Sequence, residues 1–127
     1  MLSTNLITIE KINSHNSNLN SLYFDLIKYN QKKAELRVYD EKRRKIKTND
    51  IWIFTNKDNR NEKIIVKIKQ IRIYSSFEEA VYDDKENYLM PNIESKDERV
   101  DIYESFQNYK ENGKEFGVVR FDFELLN

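Results

Sequence analysis

Four side chains between residues 32 and 39 have the types and spacing to grip a polar, planar ligand. Lys32 stands where a helical stretch gives way to an extended one, and Glu35, Arg37 and Tyr39 follow at every second position. Alternation at period two puts these three on one face of a strand and Ala34, Leu36 and Val38 on the other. A Lys and an Arg can pair with phosphate or base acceptors, a Glu can accept from a base amine, and a Tyr can stack on a ring. Glu35 and Arg37 could equally form a structural ion pair within the sheet. Arg43, Arg44, Lys45 and Lys47 follow closely, either as a phosphate-tracking rim or as solvated surface.

Composition removes other chemistries. The 127 residues contain no cysteine, so disulfides, iron–sulfur clusters and thiol catalysis are excluded. The one histidine, His15, sits in a polar stretch without cysteine partners, cannot build a zinc site of the usual kind and is given no role. With only Gly113 and Gly117 in the chain, neither a dinucleotide-binding nor a phosphate-loop glycine pattern can occur. No cofactor and no metal are expected. No apolar run approaches the roughly 18 residues of a membrane span and no signal-peptide order opens the chain, so a cytoplasmic protein without a membrane partner is expected.

The formal charge is zero but unevenly spread. Residues 28–47 hold nine basic and three acidic side chains, and residues 76–104 hold ten acidic and three basic ones. Such polarity suits a basic face for an anionic ligand, with the acidic 76–104 face free for a protein partner. It also suits two solvated faces that attract each other.

One domain spanning residues 1–127 fits the length. Residues 6–12 read as a short strand or extended arm, and Asn13–Asn18 as a polar loop. Leu19, Leu22, Tyr23, Leu26 and Ile27 form one helical face over 19–29, with Asn18 or Asn20 as its cap and Asn30 at its end. The charged residues 40–46 allow one helical turn capped by Asp40. Ile51–Phe54 and Ile64–Tyr74 read as a hairpin joined by a polar connection, Asn56 to Glu62. Ile64, Val66 and Ile68 share one parity while Ile71 and Ile73 take the other. A bulge near Lys69-Gln70 would turn both sets inward and help a small sheet curl. Trp52 reads as core. Ser76 with Glu79, and Ser95 with Glu98, have capping-box spacing and open two more helices, the second running to about residue 109. After Asn112-Gly113 a final strand alternates Val119, Phe121, Phe123 and Leu125 with polar residues. The fold class is α+β, with about five strands and three helices around one core.

The run Asn30-Gln31-Lys32-Lys33-Ala34-Glu35-Leu36-Arg37 resembles the G-x-K-x-x-E-x-R signature of the ASCH domain, a family of PUA-like β-barrels. The likeness continues through Tyr39–Lys47, Asn49-Asp50, Ile51–Phe54, Tyr74–Glu79, Leu89-Met90-Pro91 and Gly117-Val118-Val119, in family order over residues 19–125. Asn30 and Asn49 stand where the family has glycine, and Asn is the usual substitute at positive φ. The resemblance implies a curled barrel with a cleft beside the signature strand that takes RNA or a modified nucleoside. Lys32, Glu35, Arg37, Tyr39, Arg43 and Arg44 would line it.

It also implies a second possibility, since small ASCH proteins include amidohydrolases acting on acetylated cytidine, and ribonuclease activity is described in the family. That chemistry uses the signature Lys, a Thr three residues on and a Glu further along. Here Glu35 holds the Thr position and no hydroxyl occurs at 33–36. Lys32 and Glu35 would be the catalytic pair, with Lys33 as a neighbour able to depress the Lys32 pKa. Glu79, Asp83 and Glu86 are candidates for a second carboxylate. A protein–protein adaptor is the third reading.

Overall fold

The computed structural model describes residues 12–126. In chain order they form β1 (Ser14–Leu19), α1 (Ser21–Lys28), β2 (Ala34–Val38), α2 (Glu41–Arg44) and β3 (Ile51–Asn56). There follow β4 (Asn59–Tyr74), α3 (Phe77–Tyr82), α4 (Lys96–Ser105), α5 (Tyr109–Phe116) and β5 (Val118–Leu125). The strands make one sheet in the order β1-β3-β4-β5-β2, with β1 parallel to β3 and every other pair antiparallel.

The sheet curls. Arg37 on β2 and Trp52 on β3 are three strand spacings apart in that order, about 14 Å if the sheet were flat. The Arg37 guanidinium nevertheless lies 5.7 Å from the Trp52 ring centroid. β4 makes the bend possible, because its first half pairs with β3 and its second half with β5, and the register slips between Ile68 and Gln70. That is the expected bulge. It brings Ile71 onto the cluster that already holds Ile64, Val66 and Ile68. The matching expectation for Ile73 is overturned, since it is 54% exposed. The helix that covers this face, α1, packs on β1 and β3 and leaves the Ile73 end open.

Each face of the sheet carries its own apolar layer. On the concave face Trp52, Phe54, Val66, Phe121 and Phe123 pack under Phe24 and Ile27 of α1. On the other face Ala34, Leu36, Val38 and Val118 are covered by Phe77 and Val81 of α3 and by Val100 and Tyr103 of α4. Full burial of side chains this large is worth about 1.5–3 kcal/mol each, which is what holds the helices against the sheet.

Local chemistry sets the helix ends. Asn20, Asp40, Ser76 and Ser95 each accept a hydrogen bond from the backbone N–H three residues on, capping α1, α2, α3 and α4. Asn30 and Asn49 take φ values of 61° and 76°, the left-handed conformation expected of them as glycine substitutes.

Several expectations are corrected. The extended segment expected over residues 6–12 lies, apart from Ile12, outside the described residues. The 13–18 stretch read as a loop is mostly strand β1, whose backbone pairs with β3. Its side chains show no apolar alternation because the half-buried ones are polar and partnered. Ser17 Oγ accepts from Trp52 Nε1 at 2.9 Å. His15, for which the sequence offered no role, is partnered as well, its Nε2 lying 2.8 Å from Asp50 Oδ2. The connection expected over Asn56–Glu62 shrinks to a tight turn at Lys57-Asp58, the rest continuing β3 and β4.

Five helices replace the expected three among the described residues. α2 accounts for one, as the turn foreseen after Asp40, and α5 for the other. The final strand does not follow directly on Asn112-Gly113, which lies inside α5, where a Cβ on Gly113 would stand 2.9 Å from the Phe77 ring. The reversal falls instead at Gly117, whose φ of +85° suits glycine alone. Among the described residues no helix is long and apolar enough to cross a membrane.

Candidate functional site

β1 and β2 are the two edges of the curled sheet, and both contribute to one cleft of about 210 Å³. Asn18 and Leu19 come from the end of β1, Glu35 and Arg37 from β2. The aromatic rings of Tyr23, Tyr103, Phe106 and Tyr109 form its walls, and Lys57 stands at the β3–β4 turn. The cleft is thus the seam where the barrel fails to close.

Lys32 reaches the site through the end of α1. Asn30 reverses the chain, and the backbone N–H groups of Gln31 and Lys32 both donate to the Leu26 carbonyl. This tight hook leads straight into β2 and buries Lys32, which is 2% exposed. Its Nζ donates to the Leu89 carbonyl at 2.6 Å and lies 3.4 Å from Glu35 Oε1. Glu35 Oε1 also accepts from the Leu36 N–H at 3.0 Å. On the other oxygen, Oε2, Glu35 accepts from Arg37 Nη2 at 3.1 Å. The carboxylate therefore links both cations. The bland expectation, an Arg37–Glu35 ion pair, and the ligand-binding one describe the same atoms.

Burial and charge act against each other here. Burial pushes the Glu35 carboxyl upward, but Lys32, Arg37 and the Leu36 N–H outweigh it and leave the pKa at about 2. Burial lowers the Lys32 pKa more than Glu35 raises it, and Arg37 adds to the fall. The neighbouring cation that acts on Lys32 is thus Arg37; the Lys33 ammonium sits over the Tyr88 ring, 5.1 Å from its centroid. Burial first, and Glu35 second, raise the pKa of Tyr23 and of Tyr103, so both phenols stay protonated. Burial works against the charge of Arg37, yet Glu35 holds its pKa above the ordinary value.

Behind the cleft lies a buried ionic group absent from the sequence reading. Asp84 accepts from the N–H groups of Tyr88 and Leu89 at 3.1 and 2.9 Å and from Arg120 Nη1 at 3.0 Å. Arg120 in turn donates to Asp122, which also accepts from Arg72. Both Asp84 and Arg120 are almost wholly inaccessible. This group fixes the backbone of Leu89 and so the carbonyl that meets Lys32.

The structure gathers Lys32, Glu35 and Arg37 but not the rest of the expected set. β2 ends at Val38, so Tyr39 leaves the strand and packs against the concave core, with the Arg44 guanidinium 4.2 Å from its ring centroid. Arg44 donates to the Tyr39 and Phe116 carbonyls, and Arg43 pairs with Asp40 at 3.3 Å. None of the three lines the cleft. Nor do Glu79, Asp83 and Glu86: Glu79 accepts from Ser75, Asp83 from Tyr74, and Glu86 is exposed. Tyr23, Tyr103, Phe106, Tyr109 and Lys57 line it without having been singled out as site residues. The four aromatics occupied positions that helical periodicity assigns to a core.

Comparison with known proteins agrees with this fold. A family model described as ASCH domain matches residues 18–126, and the chain belongs to that family. It is similar to a crystal structure described as hypothetical protein PH0355, with 38% identity over 89% of this chain and 99% of that one, at a TM-score of 0.77. It is also similar to the solution NMR structure of protein PF0455 from Pyrococcus furiosus, with 33% identity over 90% of this chain and 98% of that one, at a TM-score of 0.72. No curated protein matches the sequence.

Proposed function

We propose that the protein binds an unpaired base of RNA, or a modified nucleoside, in the cleft between β1 and β2. One observation carries the reading: a base-sized opening combines aromatic walls with an acceptor and a donor side by side, Glu35 Oε2 and the Arg37 guanidinium. Its volume of about 210 Å³ is small beside the roughly 300–1,000 Å³ of drug-sized sites, which favours one planar group over a duplex. Sequence-selective RNA recognition works in this way, by stacking a splayed base on aromatic rings and pairing its polar edge.

A hydrolytic reading has one observation in its favour, a Lys with a lowered pKa beside an ionised Glu. Against it, the Lys32 ammonium is already engaged by Leu89 and Glu35, and no hydroxyl stands at positions 33–36.

The test is titration of nucleosides and short single-stranded RNAs into the wild type and Arg37→Ala, beside a chromatographic assay on acetylated cytidine. Binding that Arg37→Ala weakens by about 1–3 kcal/mol supports recognition in the cleft. Product that disappears in Lys32→Ala while the variant stays folded would move the protein to the hydrolases. Absence of any binding or turnover would leave the adaptor reading in front.

A further inference from the structure

Resting on the reading just given, we infer that the ligand of the cleft carries a phosphate next to its sugar and that Lys57 contacts this phosphate. The lining of the cleft holds three cations, Lys32, Arg37 and Lys57, and one carboxylate, Glu35. Inside, Lys32 and Arg37 share Glu35, so the buried part already carries an excess of positive charge. Lys57 adds a further charge at the exposed end, where no described side chain forms an ion pair or hydrogen bond with its ammonium. A neutral nucleoside would leave the buried excess charge unmatched and Lys57 balanced only by the coulombic attraction of Asp58; a nucleotide would bring a charge to both.

The position of Lys57 is built rather than incidental. Its backbone N–H donates to the Leu19 carbonyl at 2.8 Å, which ties the β3–β4 turn to the end of β1 and to the Asn18–Asn20 wall of the cleft. Asp58, the nearest acidic residue in sequence, is turned onto α1. Its Oδ2 accepts from the Ser21 N–H at 3.2 Å and from Ser21 Oγ at 2.5 Å. Asp58 is thereby held by hydrogen bonds to Ser21 and meets Lys57 only through a weaker coulombic attraction, without a hydrogen bond or ion pair. The cations expected to follow phosphates, Arg43 and Arg44, are spent on Asp40 and on backbone carbonyls away from the cleft.

A lysine is a point charge without the fixed fork of an arginine, so it suits a phosphate whose orientation varies. Two sources share this chemistry: a free nucleoside monophosphate and a phosphodiester-linked residue within RNA.

The experiment titrates adenosine, cytidine, guanosine and uridine, their 5′- and 3′-monophosphates, and the corresponding dinucleotides into wild-type protein, Lys57→Gln and Lys47→Gln at low salt. For the best-bound base, at least one phosphorylated form should bind wild type about tenfold or more tightly than the nucleoside. In Lys57→Gln that ratio should fall to near one, and in Lys47→Gln it should persist. A preference for monophosphate over dinucleotide assigns the site to free nucleotides, and the reverse assigns it to RNA; both support the phosphate contact. Equal binding of nucleoside and nucleotide by wild type overturns the inference while leaving base recognition standing. A ratio kept in Lys57→Gln, or lost in Lys47→Gln instead, overturns it as well. Failure of every probe to bind overturns base recognition and the phosphate contact together.

Discussion

The Nζ of Lys32 donates to the carbonyl of Leu89 at 2.6 Å, across 57 residues of chain. Leu89 is gripped from its other side as well, since its N–H donates to Asp84 Oδ2 at 2.9 Å. One residue of an otherwise irregular connection is thus pinned, through both of its flanking peptides, between the floor of the cleft and the Asp84–Arg120 pair behind it. A buried ammonium here satisfies a carbonyl and a carboxylate at once.

Replacement of Lys32 by Met should therefore destabilise the fold. Breaking a buried ion pair typically costs about 3–5 kcal/mol. The loss should fall at the low end, because the ammonium carries a desolvation cost that Met lacks and because Tyr103 Oη still donates to the Leu89 carbonyl at 3.3 Å. Urea denaturation checks this through a lowered midpoint at unchanged slope. An unchanged midpoint would mean that Lys32 does not hold the 83–95 connection.

Glu35 gives the fold an acid-sensitive term. Its folded pKa of about 2 lies below the ordinary value of 4.5. The stabilisation is complete above pH 4.5 and is lost as pH falls through about 2. That shift corresponds to about 3 kcal/mol at 1.36 kcal/mol per pKa unit. Lys32 stays protonated in both folded and unfolded chains over this window and adds no slope. Acid-titrated denaturation should therefore show a shallower fall for Glu35→Gln than for wild type between pH 4.5 and 2. Parallel curves would show that the carboxylate is not held by its cations.

The pattern of the chain made some of this legible and hid the rest. Glu35 and Arg37 could be paired from strand parity alone, and the switch of phase between Ile68 and Ile71 announced the bulge. β1 could not be read, because an edge strand whose half-buried side chains are His15 and Ser17 has no apolar alternation. Its partners, Asp50 and Trp52, lie 35 residues away. The walls of the cleft were hidden for a related reason. Tyr103 lies at core spacing on a helix, and periodicity cannot tell a ring that seals a core from one that borders an opening. Asp84 looked like one more acid in an acidic run, since its partner Arg120 is 36 residues further on.

Gly113 should resist replacement although it sits inside a helix. Ala would gain about 1 kcal/mol of helix propensity. Its Cβ, however, would stand 2.9 Å from Cε2 of Phe77. That ring cannot step aside, because it is stacked with Tyr103 at 5.7 Å and with Tyr109 at 5.5 Å. Overpacking of this kind costs about 1–3 kcal/mol. Gly113→Ala should therefore be a net destabilisation, with a lowered thermal midpoint. A gain in stability would show that α5 is free to slide off Phe77.

Phe106 and Phe77 belong to one aromatic cluster, yet their truncation should read out in opposite ways. Phe77 is 1% exposed and lies beneath Tyr103 and Tyr109, so Phe77→Ala should cost about 3–5 kcal/mol of stability. Phe106 is 38% exposed, lines the cleft and meets the Tyr103 and Tyr109 rings edge to face at 6.1 and 5.4 Å. Its truncation removes little buried area but takes away a surface on which a base can stack. Stacking on an aromatic side chain is worth about 1–3 kcal/mol per base. Phe106→Ala should thus lower affinity for nucleosides and short RNAs by roughly 5- to 150-fold, while its denaturation midpoint stays close to that of the wild type. Phe106→Tyr, which keeps the ring, should restore binding. If Phe106→Ala instead bound normally and unfolded early, the ring would be part of the core and the cleft would have to take its ligand against Tyr23, Tyr103 and Tyr109.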